Sequence, residues 1–152
     1  MIKNKLIKII LLFFFISGCG YNPIFSNKNS NFSIYELSST GNNKLNKIIN
    51  NKLSHYKDSN NPKKFSLTIE TNLNKKVASR DTKGNPKTYS INLKSSVLIR
   101  DLKGNETKKT FSKSINYNNS DDKSSLKKYE IQTSKNLAEK ISDEIIIYLR
   151  SI

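Results

Sequence analysis

From Phe65 to Tyr117 the chain reads FSLTIETNLNKKVASRDTKGNPKTYSINLKSSVLIRDLKGNETKKTFSKSINY. Three stretches within it alternate. Phe65, Leu67, Ile69 and Leu73 are apolar, while Ser66, Thr68, Glu70, Asn72 and Asn74 are polar. Tyr89, Ile91, Leu93, Val97 and Ile99 alternate with Ser90, Asn92, Lys94, Ser96 and Arg100. Phe111, Ile115 and Tyr117 alternate with Thr110, Ser112, Ser114 and Asn116. A period of two sends the apolar side chains to one side, so these are three strands with one buried face. Lys83-Gly84-Asn85-Pro86 and Lys103-Gly104-Asn105 supply Gly and Asn where a turn needs positive φ. Two hairpins sharing a middle strand are therefore expected.

The buried face needs a cover, and the flanks provide it. Before the hairpins, Phe32 to Leu37 is a short strand candidate and Thr40-Gly41-Asn42-Asn43 a turn with capping residues. Leu45, Ile48, Ile49, Leu53 and Tyr56 follow at helical spacing, and Ser59 to Pro62 closes that helix. After the hairpins, Ser120, Asp121 and Asp122 offer caps. Leu126, Tyr129, Thr133, Leu137, Ile141, Ile145 and Tyr148 then recur at steps of three and four along one long helix. The expected fold is α+β, a two-layer sandwich in the order β-α-β-β-β-α. Its two helices pack on one face of a mostly antiparallel four-stranded sheet.

The amino terminus reads as an export signal. Lys3, Lys5 and Lys8 precede the apolar run Ile9 to Ile16, which is too short to cross a bilayer. Ile16-Ser17-Gly18-Cys19 resembles the bacterial lipobox, in which small residues admit the chain to the peptidase and the thiol takes the lipid. The expected division is a signal peptide over 1–18, a lipidated Cys19 and tether over 19–31, and a single domain over 32–152. Cys19 would carry a covalent diacylglycerol and an N-acyl lipid, because one acyl chain alone holds a membrane weakly. Gly20 in place of Asp points to the outer membrane of a Gram-negative bacterium.

The chain has 152 residues with 27 Lys plus Arg and 12 Asp plus Glu, a formal charge of +15. Nucleic acid is not the expected partner. Export removes the chain from it, and the cations are almost all Lys, whereas base recognition favours Arg. One Cys and one His exclude a disulfide framework and a Cys/His metal site. His55 has only Asp58 near it in sequence, Asp121 and Asp122 are adjacent, and nucleotide-loop, zinc and nucleophile-elbow motifs are missing. Catalysis, a further cofactor and a metal are not expected. The polar face of the sheet, built of Ser, Thr, Asn and Lys, reads either as an ordinary solvated face or as one that meets a polar partner. Charge concentrates from Lys75 to Lys87, where Lys75, Lys76, Arg80, Lys83 and Lys87 face only Asp81. A basic hairpin tip of this kind can hold phosphates or carboxylates.

GCGYNPIF at Gly18 to Phe25, the element order, Ser114 to Asn118 and Asn136 to Ile145 together resemble the lipopolysaccharide-assembly lipoprotein (LptE) family in its alphaproteobacterial form. Tyr21 departs from the commoner Phe, and the surface is rich in Lys and Asn instead of Arg and Ala. The resemblance implies a lipoprotein that plugs the LptD outer-membrane barrel, helps it assemble and assists passage of lipopolysaccharide to the outer leaflet. Contact with lipopolysaccharide would then fall to Arg80, Lys83 and Lys87, supported by Lys75 and Lys76. The competing expectation is a free-standing lipoprotein that binds an anionic ligand or inhibits a periplasmic enzyme.

Overall fold

The computed structural model describes residues 30–57 and 61–152. The export segment, Cys19 and most of the expected tether lie outside them, as does 58–60. Six elements follow in order: β1 (Ser33–Gly41), α1 (Asn43–Ser54), β2 (Lys64–Arg80), β3 (Pro86–Asp101), β4 (Glu106–Asn118) and α2 (Lys123–Ser151). The α+β order β-α-β-β-β-α is as the periodicities require. The sheet, ordered β1-β2-β3-β4, is mixed and not mostly antiparallel. β1 runs parallel to β2, while β2–β3 and β3–β4 are antiparallel hairpin pairs. The cause is α1: a helix between neighbouring strands returns the chain to its starting end and makes the second strand parallel to the first.

The core lies between the sheet and the two helices. Leu67, Ile69, Ile91, Leu93, Val97 and Ile99 from the strands are buried with Ile49 and Leu53 of α1 and Leu137, Ile141, Ile145, Ile146 and Leu149 of α2. The same inward face carries Thr71 and Ser95, which breaks the apolar pattern. They are register partners, and their buried hydroxyls bond to each other at 3.1 Å, so neither polar group is left unpaired.

β1 reaches further than the sequence suggests. Thr40 and Gly41 belong to the strand and not to a turn, because β2 continues beside them as far as Thr71. The chain then lifts off the sheet at Asn42. Its amide donates to the Thr71 carbonyl at 2.9 Å, and its side chain accepts from the Leu45 amide at 3.2 Å, capping α1. Asn46, on the buried side of α1, donates to the Thr40 carbonyl at 2.8 Å.

α1 ends at Ser54, so Tyr56 is not part of its stripe and the helix stops before Ser59. Tyr56 is buried all the same, stacked on Phe32 with ring centroids 5.0 Å apart. In α2 the buried stripe includes Ala138, Ser142, Ile146 and Leu149, which the three-and-four pattern passes over. Tyr129, expected inward, is 46% exposed, because the first turns of α2 extend past the helix–sheet core. Asp122 is the residue that caps α2, accepting from the Ser124 and Ser125 amides at 3.0 Å each. The Ser125 hydroxyl and these amides hold its carboxyl below the ordinary range.

Candidate functional site

The two hairpin turns, Arg80-Asp81-Thr82-Lys83-Gly84-Asn85 and Arg100-Asp101-Leu102-Lys103-Gly104-Asn105, differ within this span only at Thr82 against Leu102. They share one geometry. Asp81 accepts from the Lys83 and Asn85 amides at 2.9 and 2.8 Å, and Asp101 accepts from Lys103 and Asn105 at 2.8 and 2.9 Å. Gly84 and Gly104 take φ of 84° and 85°, which a side chain would resist. The Asn85 amide, then its side chain, hold the Asp81 carboxyl below its ordinary value, and the Asn105 side chain leads the same effect on Asp101. The Asp in each turn is thus a structural anion, a role that a reading confined to Gly and Asn overlooks.

Carboxyls held low in the folded chain stabilise it above their unfolded values, near pH 4, and that contribution is lost as pH falls through the lower folded values. The urea midpoint is therefore expected to drop below about pH 4. An Asp101→Asn, Asp122→Asn double variant should show a shallower drop, and an unchanged acid slope would exclude these groups as its source.

What changes the pairing of the two arginines is the residue after each turn. Arg100 pairs with Glu106 of β4, its Nε donating at 2.9 Å. In the other turn Pro86 occupies the matching place, and the Arg80 guanidinium bonds instead to the uncharged Gly84 carbonyl at 2.7 Å. Arg80, Lys83 and Lys87 are all exposed at this tip. Two of the five cations expected to act there lie elsewhere. Lys75 is on the inner face, where its ammonium bonds Glu130 of α2 at 2.5 Å and sits 4.3 Å from the Tyr89 ring centroid. Lys76, one residue on, projects from the opposite face.

Glu130 also accepts from the Tyr117 hydroxyl at 2.6 Å. Burial raises the Glu130 carboxyl, but the Lys75 and Tyr117 bonds outweigh it and leave a net shift downward. Burial first, then Glu130, push the Tyr117 hydroxyl well above its ordinary range. Tyr89, Tyr117 and Tyr129 form a chain of ring contacts around this group, with centroids 5.8 and 5.6 Å apart. The aromatic cluster pins α2 to the far half of the hairpins. His55, the residue weighed for proton transfer, is an exposed C-cap of α1.

Among the described residues, no helix lies on the outer sheet face. Its side chains form a polar ladder: Ser38 donates to Thr68 at 3.1 Å, Ser66 to Glu36 at 3.0 Å and Asn92 to Ser112 at 3.2 Å, while the Ser96 and Thr110 hydroxyls are hydrogen-bonded at 3.3 Å, with either as donor. Such pairs stiffen a sheet whose face stays wet.

No family model and no curated protein matches the sequence. Solved structures do match. The fold is shared with bacterial lipoproteins. Rare lipoprotein B from Shewanella oneidensis superposes with a TM-score of 0.62 at 15% identity, over 78% of this chain and 95% of that one. A minor lipoprotein from Acinetobacter baumannii gives 0.60 at 13%, over 80% and 92%. Lipoprotein B from Nitrosomonas europaea gives 0.59 at 11%, over 80% and 86%. At these identities the likeness is one of fold.

Proposed function

We propose that the protein is a lipid-anchored lipoprotein of the outer membrane that plugs an LptD-type β-barrel, helps it assemble and assists lipopolysaccharide passage. One observation carries this reading. A sheet with an uncovered, hydrogen-bonded polar face projects a cationic hairpin tip, in a fold shared with bacterial lipoproteins. A wet barrel lumen is lined by polar side chains, so a polar plug can sit in it without burying unpaired groups. The ladder satisfies this requirement across the face opposite the helices. Cys19, by the lipobox reading, would supply the anchor. Arg80, Lys83 and Lys87 would meet lipopolysaccharide phosphates. Lys76 would add to them from the outer face, and Lys75, held by Glu130, would add least.

Affinity capture of the full-length protein from detergent-solubilised membranes should recover an outer-membrane barrel in stoichiometric amount. Capture without such a barrel would favour the free-standing lipoprotein instead. Neutralising Arg80, Lys83 and Lys87 to Ala together is expected to weaken lipopolysaccharide binding about tenfold or more, since each removes a charge-assisted contact. Unchanged binding would remove the tip from the site.

A further inference from the structure

The sheet has an open edge in its interior strand. β1 pairs with β2 only as far as Thr71, but β2 continues to Arg80. The Thr71 carbonyl points to the β1 side, because it accepts from Asn42. Backbone groups alternate sides along a strand, so those of Leu73, Lys75 and Val77 point the same way, with no strand beyond them among the described residues. A bulge after Val77 ends the regular stretch.

An apolar groove of about 270 Å³ runs alongside this edge on the inner face. Leu73 and Ile91 form its floor, Leu45 and Ile48 of α1 close one end, and Ile131 of α2 forms a wall. It exists because α1 begins only at Asn43, leaving the sheet beyond Thr71 uncovered between the helix start and α2. Leu73 and Ile131 are 38% and 50% exposed there, well above their neighbours in the core. The rim is basic: Lys44, Lys75, Lys127 and Lys135 surround the single carboxylate Glu130, which Lys75 already neutralises.

We infer that this edge and groove form a strand-addition site for an extended, acidic segment of a partner protein. The edge offers the main-chain hydrogen bonds, and the groove takes every second side chain of the added strand. The rim lysines select the sign of the remaining side chains. They also argue against a second copy of this chain as the occupant, because its own edge would bring Lys75 and Lys76 against the same charges. The inference is independent of the barrel-plug reading, which rests on the opposite sheet face and the hairpin tip.

The test uses the full-length protein in lipid nanodiscs and an acetylated nonapeptide alternating Val with Glu. Saturable binding is expected, read by fluorescence anisotropy. Amide hydrogen exchange is expected to slow at Leu73 and Lys75 when the peptide binds. Ile131→Glu, at an exposed wall position that leaves the core intact, should weaken binding about tenfold. Lys127→Glu with Lys135→Glu should weaken it about fivefold, with the effect shrinking at high salt. Methylating the peptide amides on one edge should abolish binding. The inference would be overturned by equal binding of the methylated peptide, by no added protection at Leu73 and Lys75, or by displacement of the peptide by dodecanoate with no change in exchange. The last would assign the groove to an acyl chain. Concentration-dependent dimerisation that Ile131→Glu removes would assign it to a second copy and equally overturn the inference.

Discussion

Phe32→Ala is expected to destabilise the domain by about 4 kcal/mol, within the range for truncating a fully buried aromatic. Phe32 precedes the first strand, yet it has no solvent exposure. Its ring stacks on Tyr56 at 5.0 Å with planes 10° apart and meets Phe65 at 6.3 Å. Nothing nearby can refill the volume, because Tyr56 is tied by its backbone to Ile34 and by its hydroxyl to Arg150. Thermal unfolding should fall by about 15 °C in a domain of this size. Phe32→Leu keeps most of the apolar volume and should lose about 1 kcal/mol of aromatic contact and fit. A loss under about 1 kcal/mol for the Ala variant would mean that the core does not extend to residue 32.

Gly41→Ala is expected to cost about 3 kcal/mol or more, from two sources that add. Gly41 takes a φ of 90°, where a side chain is strained. A Cβ there would also lie 2.2 Å from the Thr71 carbonyl oxygen, the acceptor of the Asn42 amide that starts α1. Backbone of a central strand cannot move aside cheaply. Gly84→Ala separates the two sources, since Gly84 has a φ of 84° but open space around it. That variant should lose only about 1 kcal/mol. Equal losses from both, by urea unfolding at neutral pH, would show that the contact with Thr71 relaxes.

The hairpins were legible because a period of two recurs in three stretches between Phe65 and Tyr117, broken on the inner face by polar residues such as Thr71 and Ser95. The mixed pairing was harder to see. Nothing in Phe32 to Leu37 says which neighbour it takes, and the parallel partner follows only from placing a helix between two strands. The end of β1 was hidden because Gly41 reads as a turn residue, whereas here it serves close approach to Thr71. α2 misled in another way. Its small residues Ala138 and Ser142 are buried, and the Ser142 hydroxyl bonds to the Ala138 carbonyl, so an apolar count passes over them.

At the candidate site, Arg80, Lys83 and Lys87 do lie exposed at the hairpin end, but net charge could not tell a spent charge from a free one. Lys75 is neutralised by a residue 55 positions away, a pairing no local pattern reveals. The substitution that sets the two arginines apart, Pro86 against Glu106, was visible in the sequence. It becomes informative only once the shared turn geometry aligns the two.

The aromatic seat of Phe32 has a mechanical consequence. Asn31 bonds the Arg150 carbonyl at 3.1 Å, so the chain enters the domain where α2 ends, at the opposite end from the Arg80–Pro86 tip. A pull between that entry point and the tip acts along β1. The hydrogen bonds joining β1 to β2 lie across that direction and would be sheared together, not unzipped one at a time. A domain held at its tip and tugged by its amino terminus should therefore resist extension better than one tugged from β4, whose hairpin partner can be peeled away.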